Sequence, residues 1–208
     1  MPSAITTETL ANWKIANPNG ANRIAALGFR DRTAVRWGVH LMGPVSVTRA
    51  IDAPREQIYD FLCDLANRPA FTDHFMDDYR LERFESAGVG AAARLRIEKA
   101  GLWMETVIVE ASRPHRILEQ GKGGRLDRIP ILTAWELVEG PGAAGSEVTV
   151  RFGTEPTHPV DRLHELRRGD RFYRRQWSTA LSRLKQLIES GRRPERVVIA
   201  GGARAPVT

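Results

Sequence analysis

The clearest periodic pattern in the chain lies near its end, between residues 170 and 190. Apolar side chains recur there at steps of three and four, which places them on one stripe of an α-helix. They are Tyr173, Trp177, Ala180, Leu181, Leu184, Leu187 and Ile188. We expect Asp170 to cap the start of this helix, and Gly191 followed by Pro194 to end it. An amphipathic helix needs an apolar surface to pack on, so the rest of the chain has to supply one.

Most of the chain before this helix alternates between apolar and polar residues, as half-buried strands do. The predicted strands are 45–51, 79–84, 93–98, 103–111, 115–121, 129–138 and 147–154. The short turns between them indicate antiparallel hairpins rather than parallel βαβ units. Two short helices are predicted after the first strand, one opening at Pro54 and one from Asn67 to Phe75. This order predicts an α+β fold in which a seven-stranded antiparallel sheet wraps a long C-terminal helix.

The net charge of +6 is concentrated at the two ends of the 208-residue chain. Residues 1–43 and 191–208 together hold nine of the 31 basic and three of the 25 acidic residues, which leaves 22 of each sign between 44 and 190. We therefore expect one folded domain over 44–190, a partly disordered basic extension before it and a disordered basic tail after it. The high isoelectric point says nothing about what the folded part binds, and no nucleic acid is expected.

The single cysteine, Cys63, excludes an internal disulfide and fits a reducing compartment such as the cytoplasm. It is best interpreted as a small buried apolar residue on a helix. No run approaches the roughly 20 apolar residues of a membrane span, and no secretory signal is recognised at the N-terminus. Weak contact of the basic ends with a membrane surface is the one membrane interaction that the charge distribution allows.

One segment, VSVTRAIDAPREQIYDFLCDLAN over residues 45–67, resembles the opening of the START/Bet v 1-like superfamily. Its bacterial members are often labelled SRPBCC or polyketide cyclase/dehydrase proteins. There a first strand runs into a helix start x-A-P-x-x-x-I/V-W/Y, matched here by Ala53, Pro54, Ile58 and Tyr59.

The resemblance continues through a Gly-Val-Gly turn at 88–90 and the hairpin WELVEGPGAAGSEVTVRF, and it covers about 44–190. The chain departs from the family in two places. It has Pro69-Ala70-Phe71 where a tryptophan is frequent, and its 43-residue leader is outside the usual pattern.

The resemblance implies a helix-grip fold that binds or carries a hydrophobic or aromatic small molecule, such as a lipid or polyketide, between sheet and helix. It implies no built-in cofactor. The residues expected to line the cavity are Leu95, Ile97, Thr106, Thr133, Trp135, Val150, Phe152, Trp177, Leu181 and Leu184. A polyketide aromatase/cyclase or dehydrase-type enzyme is the alternative, and a protein–protein adaptor is a further one. An enzyme needs at least two convergent polar groups inside, a carrier needs a cavity with few, and an adaptor needs a filled core and an exposed apolar patch.

Polar residues on apolar strands are the sharper indication of chemistry. Either Glu105 or Thr106 faces the interior, because successive residues of a strand point to opposite sides. An inward Glu105 would be a candidate catalytic acid or base. The favoured interpretation is a solvated outer-face glutamate beside Arg94 or Arg96. Arg49 is expected on the inner face of the first strand, because it lies two residues from Val47 on one side and from Ile51 on the other.

Other candidate chemistry is weaker. His74 with Asp77 or Asp78 has helical spacing, but zinc sites usually add a second histidine, so a solvated acidic loop and no metal are expected. No serine-hydrolase, Cys/His or phosphate-loop signature appears. A basic run could recognise an anionic partner, although a solvated face balanced by Asp161, Glu165 and Asp170 is preferred. The run comprises Arg162, Arg167, Arg168, Arg171, Arg174 and Arg175.

Limited proteolysis of the full chain should trim both ends and stop near residues 44 and 190, because a packed and charge-balanced core resists cleavage. Intact-mass spectrometry of the digest over time checks this expectation. A stable product that still contains residues 1–20 would contradict it.

Overall fold

Seven strands form one antiparallel sheet in the order β1-β7-β6-β5-β4-β3-β2. In this computed structural model the described residues are 45–97, 102–140, 145–155 and 159–192, with the backbone alone for 125 and 159–169. The strands are β1 Val45–Ile51, β2 Met76–Leu81, β3 Ala92–Ile97, β4 Leu102–Ser112, β5 Arg116–Gly123, β6 Ile129–Glu139 and β7 Ser146–Thr154. The seven-stranded antiparallel sheet of an α+β fold is thus confirmed. The expected extension and tail concern residues almost entirely outside those described, and the domain boundaries stay predictions.

Short helices connect β1 to the opposite edge of the sheet, and one long helix follows β7. They are α1 Arg55–Cys63, a 3₁₀ turn Leu65–Asn67, α2 Pro69–Thr72 and α3 Pro159–Glu189. Pro54 immediately precedes α1, as predicted. None of the described helices has the combination of length and apolar composition that crossing a membrane requires.

Two sequence-based boundaries are wrong. The helix α3 already begins at Pro159, so Asp170 lies inside it and does not cap it. The first third of α3 carries many charged residues, and the apolar stripe used to locate the helix starts only later. The strand β2 ends at Leu81, and Phe84 beyond it is 90% exposed rather than part of the strand. Gly191 does follow the helix end, with a φ of 64° that glycine adopts readily.

The core lies between the inner face of the sheet and α3, and aromatic rings hold the two together. The Trp177 ring of α3 contacts Trp135 of β6 at 5.6 Å between centroids and Phe152 of β7 at 5.7 Å. The ring of Phe75, which follows α2, contacts the Trp177 ring at 5.4 Å between centroids. Edge-to-face and tilted geometries of this kind stabilise a core beyond simple area burial. The predicted burial of Trp177 against the sheet is confirmed, since 1% of its surface is exposed.

Polar contacts fix α3 along the first strand. Arg49 faces inward, as expected, and its Nη2 donates to Ser182 Oγ at 2.9 Å. The Lys185 ammonium donates to the Ala50 carbonyl oxygen at 3.0 Å, and the Asp52 backbone N–H donates to Glu189 at 2.8 Å. These bonds set the position of the helix along its own axis, which apolar packing alone leaves loosely determined.

We expect Trp177→Ala to destabilise the protein by about 3–5 kcal/mol, because it removes a fully buried ring on which three other rings pack. Phe84→Ala serves as the control, because that ring is exposed and its loss should change stability by no more than about 0.5 kcal/mol. Urea unfolding followed by circular dichroism measures both. A loss below about 1 kcal/mol for Trp177→Ala would show that the ring borders a roomy space instead of a packed core.

Candidate functional site

A charged pair lies inside the core, beneath the aromatic contacts. Arg68 is at the junction of the 3₁₀ turn and α2, and its Nη2 donates to Glu119 Oε1 at 2.5 Å. The two side chains are 4% and 3% exposed. Arg68 comes directly before Pro69, which is suited to the first turn of α2, and the Arg68 carbonyl oxygen accepts from the Thr72 hydroxyl at 2.8 Å. These contacts fix the backbone from which the Arg68 side chain extends into the core.

Glu119 projects inward from β5 and is held by three donors. Besides Arg68, the Trp135 Nε1–H donates to Oε1 at 2.7 Å and the Thr106 hydroxyl donates to Oε2 at 3.2 Å. Gly121, two residues further along β5, allows β4 to come close, because a Cβ atom there would lie 2.0 Å from the Glu105 carbonyl oxygen. Both oxygens of the buried carboxylate are thus hydrogen-bonded by the fold itself.

The guanidinium group of Arg68 also lies over aromatic rings. Its central carbon is 4.8 Å from the Trp135 ring centroid and 5.8 Å from that of Phe71. A cation desolvated against π faces gains electrostatic stabilisation that partly offsets the cost of burial. The arrangement keeps a positive group in the interior without exposing it to water.

An internal cavity adjoins this pair. Its volume is about 10 Å³, which is roughly the room that one water molecule needs. Its lining residues are Arg68, Met76, Tyr79, Leu95, Met104, Thr106, Glu119, Thr133 and Trp177. The sequence predicted an apolar cavity between the sheet and the last helix. In the structure the aromatic rings fill most of that space, and a charged pair borders what is left.

Two N–H donors of residues lining the cavity have no acceptor among the described residues. They are Nε of Arg68 and Nε1 of Trp177, both buried. Tyr79, also in the lining, is satisfied, since its hydroxyl donates to the Leu65 carbonyl oxygen at 3.0 Å. Burial raises the pKa of the Tyr79 phenol, so the hydroxyl stays protonated and remains a donor. A buried donor left unpaired costs about 1–3 kcal/mol, so an oxygen acceptor placed in the cavity would be stabilising.

All ten residues predicted to line a cavity are buried. Leu95, Thr106, Thr133 and Trp177 border the cavity itself, and Trp135 contacts Glu119 directly. The remaining five lie in the surrounding core; they are Ile97, Val150, Phe152, Leu181 and Leu184. A role of any of the ten in binding a ligand remains a prediction.

The structure decides between Glu105 and Thr106. Thr106 points inward, whereas Glu105 lies on the outer face, where 31% of its side chain is exposed. Its carboxylate is 3.8 Å from Arg94 and 3.6 Å from Lys122. The favoured solvated interpretation is therefore the one observed, and the acidic group in the interior is Glu119 instead.

The solvated acidic loop predicted around His74 is only partly a loop, because Asp77 and Asp78 belong to strand β2. His74 Nε2 lies 3.1 Å from the Gln176 carbonyl oxygen, and Asp77 and Asp78 lie within salt-bridge distance of Arg96. Within the described part of the chain, no three His, Cys, Asp or Glu side chains come together as a metal site would require. Cys63 is buried on α1.

Sequence reasoning missed both members of the charged pair. In RILEQG both Ile117 and Leu118 are apolar, so the alternation does not reveal which face Glu119 occupies. Arg68 precedes a proline in a turn, where arginine is normally exposed. The one available signal was Glu119 itself, an acidic residue within an otherwise apolar strand segment, in phase with Ile117 and Gly121.

No family model matches the chain, and no curated protein matches it. Solved structures do. The KanY protein has a TM-score of 0.55 at 16% identity, covering 72% of this chain and 99% of that chain. A Nitrosospira multiformis protein has a TM-score of 0.53 at 14% identity, covering 72% and 99%. DynU16, a protein of the dynemicin biosynthetic locus, has a TM-score of 0.50 at 16% identity, covering 76% of this chain and 51% of that chain, so the match spans about half of DynU16.

At these identities the likeness shows the fold alone. Together with the strand order and the C-terminal helix, it confirms the helix-grip fold that the sequence resemblance implied.

Removal of either charged partner should destabilise the protein far more than removal of an exposed pair. We expect Arg68→Met and Glu119→Gln each to cost about 3–5 kcal/mol, because each leaves a buried group without its partner. The double variant should cost clearly less than the sum of the two. Chemical unfolding of all three variants measures this coupling.

The matched control is the exposed pair Arg113–Asp60, whose side chains are 55% and 56% exposed and whose two contacts are 2.8 and 2.9 Å. Arg113→Met and Asp60→Asn should each cost no more than about 1 kcal/mol. Additive effects at Arg68 and Glu119 would contradict the direct pairing.

Proposed function

We propose that the protein binds a small molecule with an apolar or aromatic body and one oxygen acceptor, in the space between the sheet and α3. The observation that carries this proposal is the pair of buried donors, Arg68 Nε and Trp177 Nε1, on residues that share one internal cavity. A carbonyl, carboxylate or phenolic oxygen placed in the cavity would supply an acceptor that these donors lack. The family resemblance adds the expectation that the ligand is lipid-like or polyketide-like, and the cytoplasm is the proposed location.

The apolar part of the ligand follows from the surroundings of the cavity. Leu95, Met76 and Met104 border it, and aromatic rings of the sheet and α3 lie beyond. Such walls favour an apolar body, and the few polar groups orient it.

The closed interior holds about one water, so a ligand has to enlarge it. Drug-sized ligands occupy roughly 300–1,000 Å³. Two methionines in the lining can change shape at low cost, because their side chains are unbranched and have three rotatable bonds. We infer that binding displaces the side chains of Met76 and Met104, whereas the backbone of the β-sheet stays in place.

An enzyme of the aromatase/cyclase or dehydrase type is the second candidate function. It is favoured by the convergence of Arg68 and Glu119 at the same cavity, since two polar groups inside were the criterion for an enzyme. In that reading Glu119 exchanges a proton with the bound molecule, and Arg68 stabilises negative charge on its oxygen. The likeness of the fold to a protein of a biosynthetic locus supports a small organic substrate in either reading.

The carrier proposal is tested with an anilinonaphthalene sulfonate dye, which combines an aromatic body with oxygen acceptors. We expect the native, cooperatively folded protein to bind it with a rise in fluorescence. Thr133→Trp and Leu95→Trp should abolish binding, because each occupies the space that the ligand needs, at a cost in stability of roughly 1–3 kcal/mol. Trp177→Phe keeps the ring but removes the donor, and should weaken binding about 5–10-fold, the effect of one hydrogen bond.

Phe84→Trp is the control for these variants, because that side chain is on the surface. Absence of dye binding to native protein, or equal binding by all variants, would contradict an interior site.

Mass spectrometry of material extracted from the purified protein, before and after incubation, then separates carriage from chemical conversion. Conversion that Glu119→Gln abolishes while binding persists would establish the enzyme.

A further inference from the structure

A second concave site lies on the outside of α3, away from the interior. It is an open groove of about 480 Å³ between this helix and the segment after α2. The residues that line it are His74, Arg171, Phe172, Arg175, Gln176 and Thr179. None of them lines the internal cavity, so the groove is a site of its own.

The two arginines of the groove differ from the other basic residues among the described side chains of α3. Arg174 donates to the Ser46 carbonyl oxygen at 3.3 Å, Arg183 pairs with Asp73, and Lys185 pairs with Glu189 at 2.7 Å. Arg171 and Arg175 are exposed, and neither has a carboxylate within salt-bridge distance among the described residues. They are four residues apart, so their positive charges face the same side of the helix and repel each other.

The other groups of the groove are neutral hydrogen-bonding groups and one ring. The Nε2–H of His74 donates to the Gln176 carbonyl oxygen at 3.1 Å, and its buried Nδ1 has no partner among the described residues. Burial lowers the pKa of His74, as does the nearby Arg183, whereas the Gln176 carbonyl and Asp73 oppose the shift. The imidazole is therefore mostly uncharged at neutral pH, and the groove has two positive charges, from Arg171 and Arg175.

We propose that this groove binds a phosphate group. A phosphate monoester carries close to two negative charges near neutral pH, which matches the two guanidinium groups, and each guanidinium offers paired N–H donors to phosphate oxygens. The Thr179 hydroxyl adds a neutral donor, and the half-buried Phe172 gives an apolar wall for the rest of the molecule. An anion between the arginines removes their mutual repulsion, which is the physical gain on binding.

The test is a titration of the full-length protein with inorganic phosphate at constant ionic strength, followed by amide NMR. We expect saturable shifts confined to residues 171–179 and to His74. Arg171→Gln together with Arg175→Gln should weaken binding at least about 10-fold, as expected when two charge-assisted contacts are lost. The matched control is Arg80→Gln with Arg83→Gln, which removes the same charge from exposed arginines elsewhere and should leave affinity within about twofold.

Two further arms distinguish the sources of the phosphate. If the phosphate belongs to a lipid headgroup, vesicles of phosphatidylcholine with phosphatidic acid should bind the wild type more strongly than the groove variant, Arg171→Gln with Arg175→Gln. Binding of inorganic phosphate without any vesicle binding indicates a soluble phosphorylated molecule. Equal losses in the groove and control variants, or shifts scattered over the surface in the wild type, would overturn the proposal. The dye experiment uses interior variants with Phe84→Trp as a surface control and no variant of the groove, so each of the two proposals can fail alone.

Discussion

The Arg68–Glu119 ion pair is the constraint on which the interior depends. Two charges more than nine-tenths buried are stable only if the surrounding fold supplies hydrogen bonds to them. Strand β5 supplies the carboxylate, β4 and β6 supply Thr106 and Trp135 as donors, and the turn before α2 supplies the cation. Any shift in strand register would leave a buried charge unpaired, so the pair and the sheet register stabilise each other.

The aromatic contacts above the pair couple it to the C-terminal helix. Trp135 both donates to Glu119 and packs against Trp177 of α3. A change of helix position therefore reaches the charged pair through one indole ring. Trp135 therefore links the packing of α3 to the polar groups at which the proposed site is placed.

The candidate sites also show a division between the two sides of α3. Its inner side carries Trp177, Leu181 and Leu184, which face the sheet and leave room for about one water. Its outer side carries Arg171 and Arg175, which face a wide groove. The same helix thus presents an apolar recognition surface to the interior and a cationic one to solvent, and each has its own test.

The sequence by itself determined the sheet, the C-terminal helix and the burial of Trp177, because alternation and three-to-four periodicity are local properties that packing then follows. It also indicated Thr133 as a polar residue of the inner face, and it left Glu105 and Thr106 as alternatives. Only the tertiary structure decided that Glu105 is outside, that Arg68 meets Glu119 across 51 residues of sequence, and that little space remains between sheet and helix. Those outcomes depend on strand phase, on a turn and on how completely rings fill a volume, and none of these is encoded in local periodicity.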